Sequence, residues 1–306
     1  MNVGKSLSSK IKDVNSNFSH FLTNRIANSL VIFGTDESEV NNIIGNLKST
    51  STGWDDISSN ILRQTSNYFI QPLTYVLNLS LDQGIVPKEC KIARVIPLFK
   101  SGDNSDASNF RPISILSSFS KIYENLMHKR LINVFETHCV LQDCQFGFRP
   151  KHSTNIAIAY LINKIVSAHE KNKLTLDLLI DFKKAFDTVN HNILLSKLEH
   201  YGIRGNPLKW ITNYLQDREQ YVCFNNVKSI SGNVSCGVPQ GSILGPLLFL
   251  IYINDLCQIS NILETVLYAD DTSLFLSGSN IDDMITSMNS ELKKLITWLN
   301  ANKLTC

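Results

Sequence analysis

The 306-residue sequence contains no C-x-x-C pair, and its seven cysteines lie scattered between Cys90 and Cys306. The number is odd, and no closely spaced pair of histidines completes a zinc-binding pattern. Neither a disulfide framework nor a structural zinc site is therefore predicted. Reduced thiols in an intracellular protein are the simplest interpretation.

Long hydrophobic runs are also missing. The longest, Ile243–Ile253, is interrupted by Gly245 and Pro246. It is shorter than the ~20 residues that a membrane-spanning helix needs. The N-terminal residues lack the apolar core of a secretory signal. We therefore expect neither membrane insertion nor secretion.

A strong overall charge is absent as well, because the net charge is +2 and charged residues make up 18% of the chain. With 43% hydrophobic residues, the composition is that of one large or two smaller globular domains. Residues 86–151 nevertheless carry 10 Lys and Arg against 6 Asp and Glu. Taken alone, this basic segment is best interpreted as a solvated face.

Hydrophobic spacing predicts a mixture of helices and strands in irregular order, which favours an α+β fold. Helices are expected at about 39–47, 57–81, 119–138, 155–169, 192–201, 206–217, 246–257 and 281–300. Strands are expected at 92–99, 174–181, 221–224 and 233–236, with two more within 265–276. The strand over 174–181 has almost no polar interruption, as is typical of a central strand buried on both faces.

Three carboxylates lie at the ends of apolar strands: Asp181 after the first, and Asp270 and Asp271 between two others. Each alone has an ordinary explanation, as a helix cap or as turn residues. If the strands are neighbours, however, the carboxylates converge and raise one another's pKa. Mg²⁺ relieves that repulsion, and such a cluster suits two-metal phosphoryl or nucleotidyl transfer.

At these positions the sequence resembles the reverse transcriptases of non-LTR retrotransposons of the jockey kind. Leu179–Val189 (LIDFKKAFDTV) and Tyr268–Thr272 (YADDT) are similar to the two catalytic motifs, and Gly237–Phe249 (GVPQGSILGPLLF) to the nucleotide-site motif. Upstream, the fingers motifs follow in order as VIPLFK (95–100), NFRPIS (109–114) and QFGFRP (145–150). The resemblance runs from near Asp36 to the C-terminus, with departures only at Trp54 and Cys90.

The resemblance implies a right-hand polymerase with fingers and a palm, whose antiparallel sheet packs on helices. Residues 1–80 would precede the polymerase, and residues 81–306 would form the reverse transcriptase domain. Asp181, Asp270, Asp271 and the Phe182 carbonyl would hold two Mg²⁺ ions, for which Mn²⁺ is a possible substitute. The implied reaction adds deoxynucleotides to a DNA primer on an RNA template, and the implied place of action is the nucleus.

Further residues are implied to contact the incoming deoxynucleoside triphosphate. Lys100 and Arg111 would hold the triphosphate, and Gln240 and Gly241 would contact the nucleotide. The Phe186 ring would lie beneath the sugar and exclude a 2′-hydroxyl, although a plain core role fits its type equally well. Arg94, Arg149 and Lys151 are expected either to touch nucleic acid or to face solvent.

Asp187 also looks like a metal ligand, but it lies six residues beyond Asp181 in the following helix. We therefore expect it to cap a helix or form a salt bridge instead.

The sequence has no room upstream for the endonuclease domain of the family and ends before the primer grip and thumb. We therefore expect a truncated polymerase that binds nucleic acid weakly and extends primers poorly. Two alternatives remain. One is an inactive nucleic-acid-binding relic of such an element. The other is an RNA-directed RNA polymerase, against which Phe186 argues.

Overall fold

The computed structural model describes residues 17–23, 25–48, 51–225 and 227–306. The helices within these residues are α1 (Glu37–Gly45), α2 (Ser59–Gln83), α3 (Ser118–Thr137), α4 (Thr154–Glu170), α5 (Ala185–Thr188), α6 (His191–His200), α7 (Asn206–Leu215), α8 (Leu244–Ile253) and α9 (Ile281–Ala301). The strands are β1 (Ile92–Phe99), β2 (Phe110–Leu116), β3 (Leu174–Asp181), β4 (Arg218–Phe224), β5 (Val227–Lys228), β6 (Gly232–Val234), β7 (Glu264–Tyr268) and β8 (Asp271–Gly278).

The first sheet has the strand order β2-β1-β4-β5, and β6 also pairs with β4. β1 is antiparallel to β2 and parallel to β4. The sequence did not predict β2, because Pro112 lies in its middle and proline cannot donate to a neighbouring strand. Pro112 lies directly opposite Pro97 of β1. The structure tolerates it in β2, which is the terminal strand of this sheet.

The second sheet has the order β3-β8-β7 and is antiparallel throughout. This confirms the predicted pairing of 174–181 with the hairpin within 265–276. The prediction that this strand is buried on both faces is wrong. β3 lies at the edge of the sheet, and its Leu179 side chain is 75% exposed.

The core is a continuous cluster of apolar side chains that extends from Val40 in α1 to Leu304 beyond α9. At its centre lies α8, in which every described side chain except Pro246 is fully or almost fully buried. A helix that is apolar on all sides packs within a core rather than on a surface. No helix among the described residues is long and apolar enough to cross a membrane.

A buried ion pair links two of the helical segments around α8. The Lys197 ammonium of α6 lies 2.6 Å from an Asp255 carboxylate oxygen, and neither side chain has any solvent exposure. The same ammonium donates to the Tyr252 carbonyl at 2.6 Å. Burial alone lowers the pKa of Lys197, and the Asp255 carboxylate opposes that effect. The pair therefore offsets only part of the cost of burying two charges in the core.

Candidate active site

The second sheet brings the three carboxylates to one end. Asp181 is the last residue of β3, and its Cα lies directly opposite that of Asp271, the first residue of β8. Side chains of directly opposed residues share a face of the sheet, with Cβ atoms about 4.5–5.5 Å apart. Asp270 lies in the two-residue turn that joins β7 to β8.

The three carboxylates act on one another electrostatically. Burial raises the pKa of Asp270, and the negative charges of Asp271 and Asp181 raise it further. The positive charge of Arg111, on β2, acts in the opposite direction. A bound cation would relieve the repulsion among the carboxylates.

The donor set of this cluster fits a hard divalent cation. Among the described residues, no three His, Cys, Asp or Glu side chains form a ready-made metal site. Mg²⁺, however, is usually bound by one or two carboxylates together with substrate phosphates and water. The carboxylates of Asp181, Asp270 and Asp271 meet that requirement. Phe182, whose side chain is buried, follows directly after Asp181.

The loop over 237–242 is fixed between the two sheets. At its start, the Gly237 N–H donates to the Val189 carbonyl at 2.8 Å. At its far end, the Ser114 N–H of β2 donates to the Gln240 carbonyl at 2.7 Å. Gly241 has a φ of +110°, and a Cβ there would lie 2.7 Å from the Ser114 carbonyl oxygen. The second glycine of the motif is therefore required by this close approach.

A buried glutamate supports the same loop, and sequence reasoning missed it. Glu124 of α3 is completely buried. One carboxylate oxygen accepts from the Ile243 N–H at 2.7 Å, and the other accepts from the Tyr214 hydroxyl at 2.6 Å. Burial raises the pKa of Glu124, whereas both hydrogen bonds lower it. Ile243 directly precedes α8, so Glu124 holds the junction between the loop and the helix.

We expect Glu124→Ala to lower the free energy of unfolding by about 2–4 kcal/mol, because it leaves two buried donors without partners and opens a cavity. Glu124→Gln keeps an acceptor of the same shape and should lose much less. Chemical denaturation of both variants measures the difference. Equal losses would show that shape and a single amide acceptor are not sufficient, and that the position requires both carboxylate oxygens.

The Phe186 ring, five residues beyond Asp181 in the sequence, is partly exposed. It stacks on Phe249 of α8 with ring centroids 4.8 Å apart, and it meets Phe148 edge-on at 6.3 Å. The ring is therefore packed on the core on one side. This arrangement is compatible with both interpretations that the sequence left open.

The cations of the basic segment have different surroundings. Arg111 is exposed on β2, opposite Leu98 of β1, and Lys100 is exposed directly after β1. Arg149 is 3.3 Å from Glu136 and donates to the Gln142 carbonyl, and only 8% of its side chain is exposed. Arg94 lies 3.6 Å from Asp56. Arg149 therefore ties its own segment to the end of α3 and to the loop after that helix, instead of facing solvent.

The expectation for Asp187 is wrong. Within the described residues, its side chain forms no salt bridge and no capping hydrogen bond, and α5 is preceded by Lys184 without a side-chain cap. Burial raises the pKa of Asp187. The residue lines a cavity and packs its backbone against Gly237, where a Cβ would lie 2.8 Å from the Asp187 carbonyl oxygen.

That cavity has a volume of about 520 Å³ and lies between the first sheet and the loop over 237–242. Apolar side chains form most of its wall, among them Val95, Pro112 and Phe224. Gln240 and the buried Arg218 also line the cavity. Mostly apolar walls with a few polar groups are typical of small-molecule sites.

The mixed α+β fold, with two sheets, three carboxylates at one sheet end and a glycine-flanked loop, is consistent with a polymerase-like domain. Residues 100–306 match the family model described as reverse transcriptase (RNA-dependent DNA polymerase), and the chain belongs to that family. The resemblance noted in the sequence is thereby confirmed.

The relatives are polymerases of mobile elements. The chain is 32% identical over 262 residues to a probable RNA-directed DNA polymerase from transposon BS of Drosophila melanogaster, covering 81% of this chain and 28% of the relative. It is 28% identical over 279 residues to the RNA-directed DNA polymerase from mobile element jockey of the same species, covering 88% and 30%. The chain thus spans less than a third of the length of these curated relatives.

Proposed function

We propose that this chain is the polymerase region of a non-LTR retrotransposon reverse transcriptase, which adds deoxynucleotides to a DNA primer on an RNA template. In this proposal, the sheet containing β1, β2 and β4 belongs to the fingers and the sheet containing β3, β7 and β8 to the palm. Residues 81–306 form the polymerase domain, and residues 1–80 precede it. The convergence of Asp181, Asp270 and Asp271 at one sheet end carries the proposal.

The proposed metal ligands are the carboxylates of Asp181, Asp270 and Asp271 and the carbonyl of Phe182. Two bound Mg²⁺ ions, or Mn²⁺ in their place, would supply activation of the attacking hydroxyl and stabilisation of the leaving oxygen. Arg111 and Lys100 hold the triphosphate, because both are exposed cations and the charge of Arg111 acts on Asp270. Gln240 and Gly241 contact the nucleotide from a loop that the backbone of β2 holds in place.

The proposed partners are an RNA template, a DNA primer and deoxynucleoside triphosphates, and the proposed place of action is the nucleus. Phosphate contacts make such binding strongly dependent on salt concentration. The excess of cations in residues 86–151 supports a role for the first sheet in these contacts.

The test is single-turnover addition of one nucleotide to a DNA primer annealed to RNA, with the full chain in excess, Mg²⁺ and low salt. We expect template-directed addition by the wild-type chain and none by Asp270→Asn. We also expect the signal to fall steeply as salt is added. Equal addition by both proteins would overturn the assignment. Retained duplex binding without any addition would instead support the inactive relic.

We expect Phe186→Val to reduce the preference for deoxynucleotides over ribonucleotides by roughly 10–100-fold, because the smaller side chain leaves room for a 2′-hydroxyl. The measurement is the ratio of kcat/KM for dNTP and rNTP. Phe148→Val is the matched control, since its ring contacts that of Phe186 but has no proposed role at the sugar. An equal change in both variants would mean that ring packing alone sets the preference.

A further inference from the structure

The turn that carries Asp270 has an unfavourable backbone conformation. Ala269, the residue directly before Asp270, has a φ of +59°. A residue other than glycine pays roughly 1–2 kcal/mol to adopt this left-handed conformation. Such a conformation persists only where the surrounding structure holds it. The surroundings of Ala269 therefore determine where the Asp270 carboxylate is placed.

The segment over 144–147 lies against this turn as an added length of strand. The Leu267 N–H donates to the Cys144 carbonyl at 2.8 Å, and the Phe146 N–H donates to the Leu267 carbonyl at 2.7 Å. These two hydrogen bonds fix the position of Gln145, which lies between them and is only 2% exposed.

The Gln145 side chain holds the turn directly. Its Oε1 accepts from the Ala269 N–H at 3.2 Å and from the Gly147 N–H at 2.8 Å. Its Nε2 is buried, and no hydrogen-bond partner for it is found among the described residues. An unpaired buried donor costs about 1–3 kcal/mol. The two hydrogen bonds that Oε1 accepts therefore outweigh the free-energy cost of leaving Nε2 unpaired.

Gly147 fits the same turn by its lack of a side chain. A Cβ at this position would lie 2.3 Å from the Ala269 nitrogen and 2.9 Å from the Tyr268 carbonyl carbon. The φ of Gly147 is outside the left-handed region, so the need for glycine here is steric. Any larger residue would displace the backbone that leads into Asp270.

We propose that Gln145 is a positioning residue for the proposed metal site. It holds the left-handed turn at Ala269 through its side-chain oxygen, with Gly147 providing the space, and so directs the Asp270 carboxylate toward Asp181. Gln145 itself touches neither metal nor substrate. This inference rests on the proposed function, in which Asp270 is a metal ligand.

Two substitutions at Gln145 separate the contribution of the side-chain oxygen from the contribution of side-chain size. Gln145→Met keeps the length but removes the acceptor, whereas Gln145→Glu keeps oxygen acceptors and adds a charge that can only favour a cation. Loss of a group that orients a metal ligand typically weakens metal binding by about 10–100-fold. We therefore expect the Mn²⁺ affinity of Gln145→Met to fall by about 10–100-fold. The Mn²⁺ affinity of Gln145→Glu should equal or exceed that of wild type. Titration followed by electron paramagnetic resonance measures both.

Asn254→Leu is the matched control for a merely structural role. Asn254 is also 2% exposed and also bonds two backbone groups of the preceding loop, accepting from the Gln142 N–H and donating to the Val140 carbonyl. It does not contact the turn at Ala269. We expect Asn254→Leu to lower the melting temperature without a tenfold change in Mn²⁺ affinity. An equal loss of affinity in Asn254→Leu and Gln145→Met would overturn the proposal.

Gly147→Ala tests the same turn without altering Gln145. We expect it to weaken Mn²⁺ binding by at least about tenfold, since the added methyl group displaces Ala269. Gly45→Ala is its control, because a Cβ at Gly45 meets no atom within 4 Å. Wild-type affinity in a folded Gly147→Ala protein would contradict the steric argument.

Hydrogen exchange separates this inference from the proposed function. The amide of Ala269 should exchange at least about tenfold faster in Gln145→Met than in wild type, with no metal present, because it loses its acceptor. Unchanged exchange would refute the role of Gln145 whatever the chain catalyses. Faster exchange in Gln145→Met, combined with equal Mn²⁺ affinity of wild type and Asp270→Asn, would instead refute the metal site.

Discussion

Replacing Asp181 with alanine should reduce the rate of nucleotide addition by about 10³-fold or more. Charge stabilisation by a bound metal is worth several kcal/mol, and each 1.36 kcal/mol corresponds to a factor of ten in rate. Because Asp181 is exposed at the end of β3, its removal should leave the fold intact. Single-turnover extension with saturating nucleotide measures the rate, and thermal unfolding checks the fold.

Asp187→Ala is the matched control for that experiment, because Asp187 lies in the same motif but lines the cavity behind the loop. We expect its loss to stay within about tenfold, since the side chain is not a proposed metal ligand. Near-wild-type extension by Asp181→Ala with unchanged duplex binding would refute the metal assignment. Equal losses at the two positions would refute the distinction between them.

Lys197→Met should lower the free energy of unfolding by roughly 3–5 kcal/mol, because it leaves the Asp255 carboxylate buried without its partner. The double variant Lys197→Met/Asp255→Leu removes both charges and should recover most of that loss. Denaturant unfolding monitored by circular dichroism gives each value.

An exposed pair provides the contrast. Lys164 lies 2.5 Å from Glu264, and more than a third of each side chain faces solvent. Lys164→Met should therefore change the free energy of unfolding by less than about 1 kcal/mol. If Lys197→Met were as mild as Lys164→Met, the buried pair would contribute little, and the core would be held by its apolar contacts alone.

Local patterns predicted the carboxylate end of the second sheet well. The strand over 174–181 and the hairpin within 265–276 are short, apolar and bounded by turn residues, so their existence could be expected, and the resemblance added their pairing. The exposure of one face of β3 could not be expected, because an apolar strand looks the same in sequence whether both faces or one face is covered. Its Leu179 is exposed although the sequence pattern is that of a buried strand.

The residues that support the site could not be predicted, because their roles depend on contacts between distant segments. Glu124 looks like an ordinary helix residue until Tyr214 and Ile243 are placed beside it. Gln145 belongs to a motif, but nothing in that motif connects it with Ala269. For Asp187, spacing predicted a position outside the carboxylate cluster. Spacing could not show that a cavity, rather than a cationic partner, lies next to it.

The hydrogen bond between Ser114 and Gln240 has a mechanical consequence. Arg111 lies three residues before Ser114 on the same strand, and Gly241 packs against the Ser114 carbonyl. The strand that carries a cation proposed to bind the triphosphate is thus attached to the loop proposed to contact the rest of the nucleotide. A displacement of β2 would therefore move both proposed parts of the nucleotide site together.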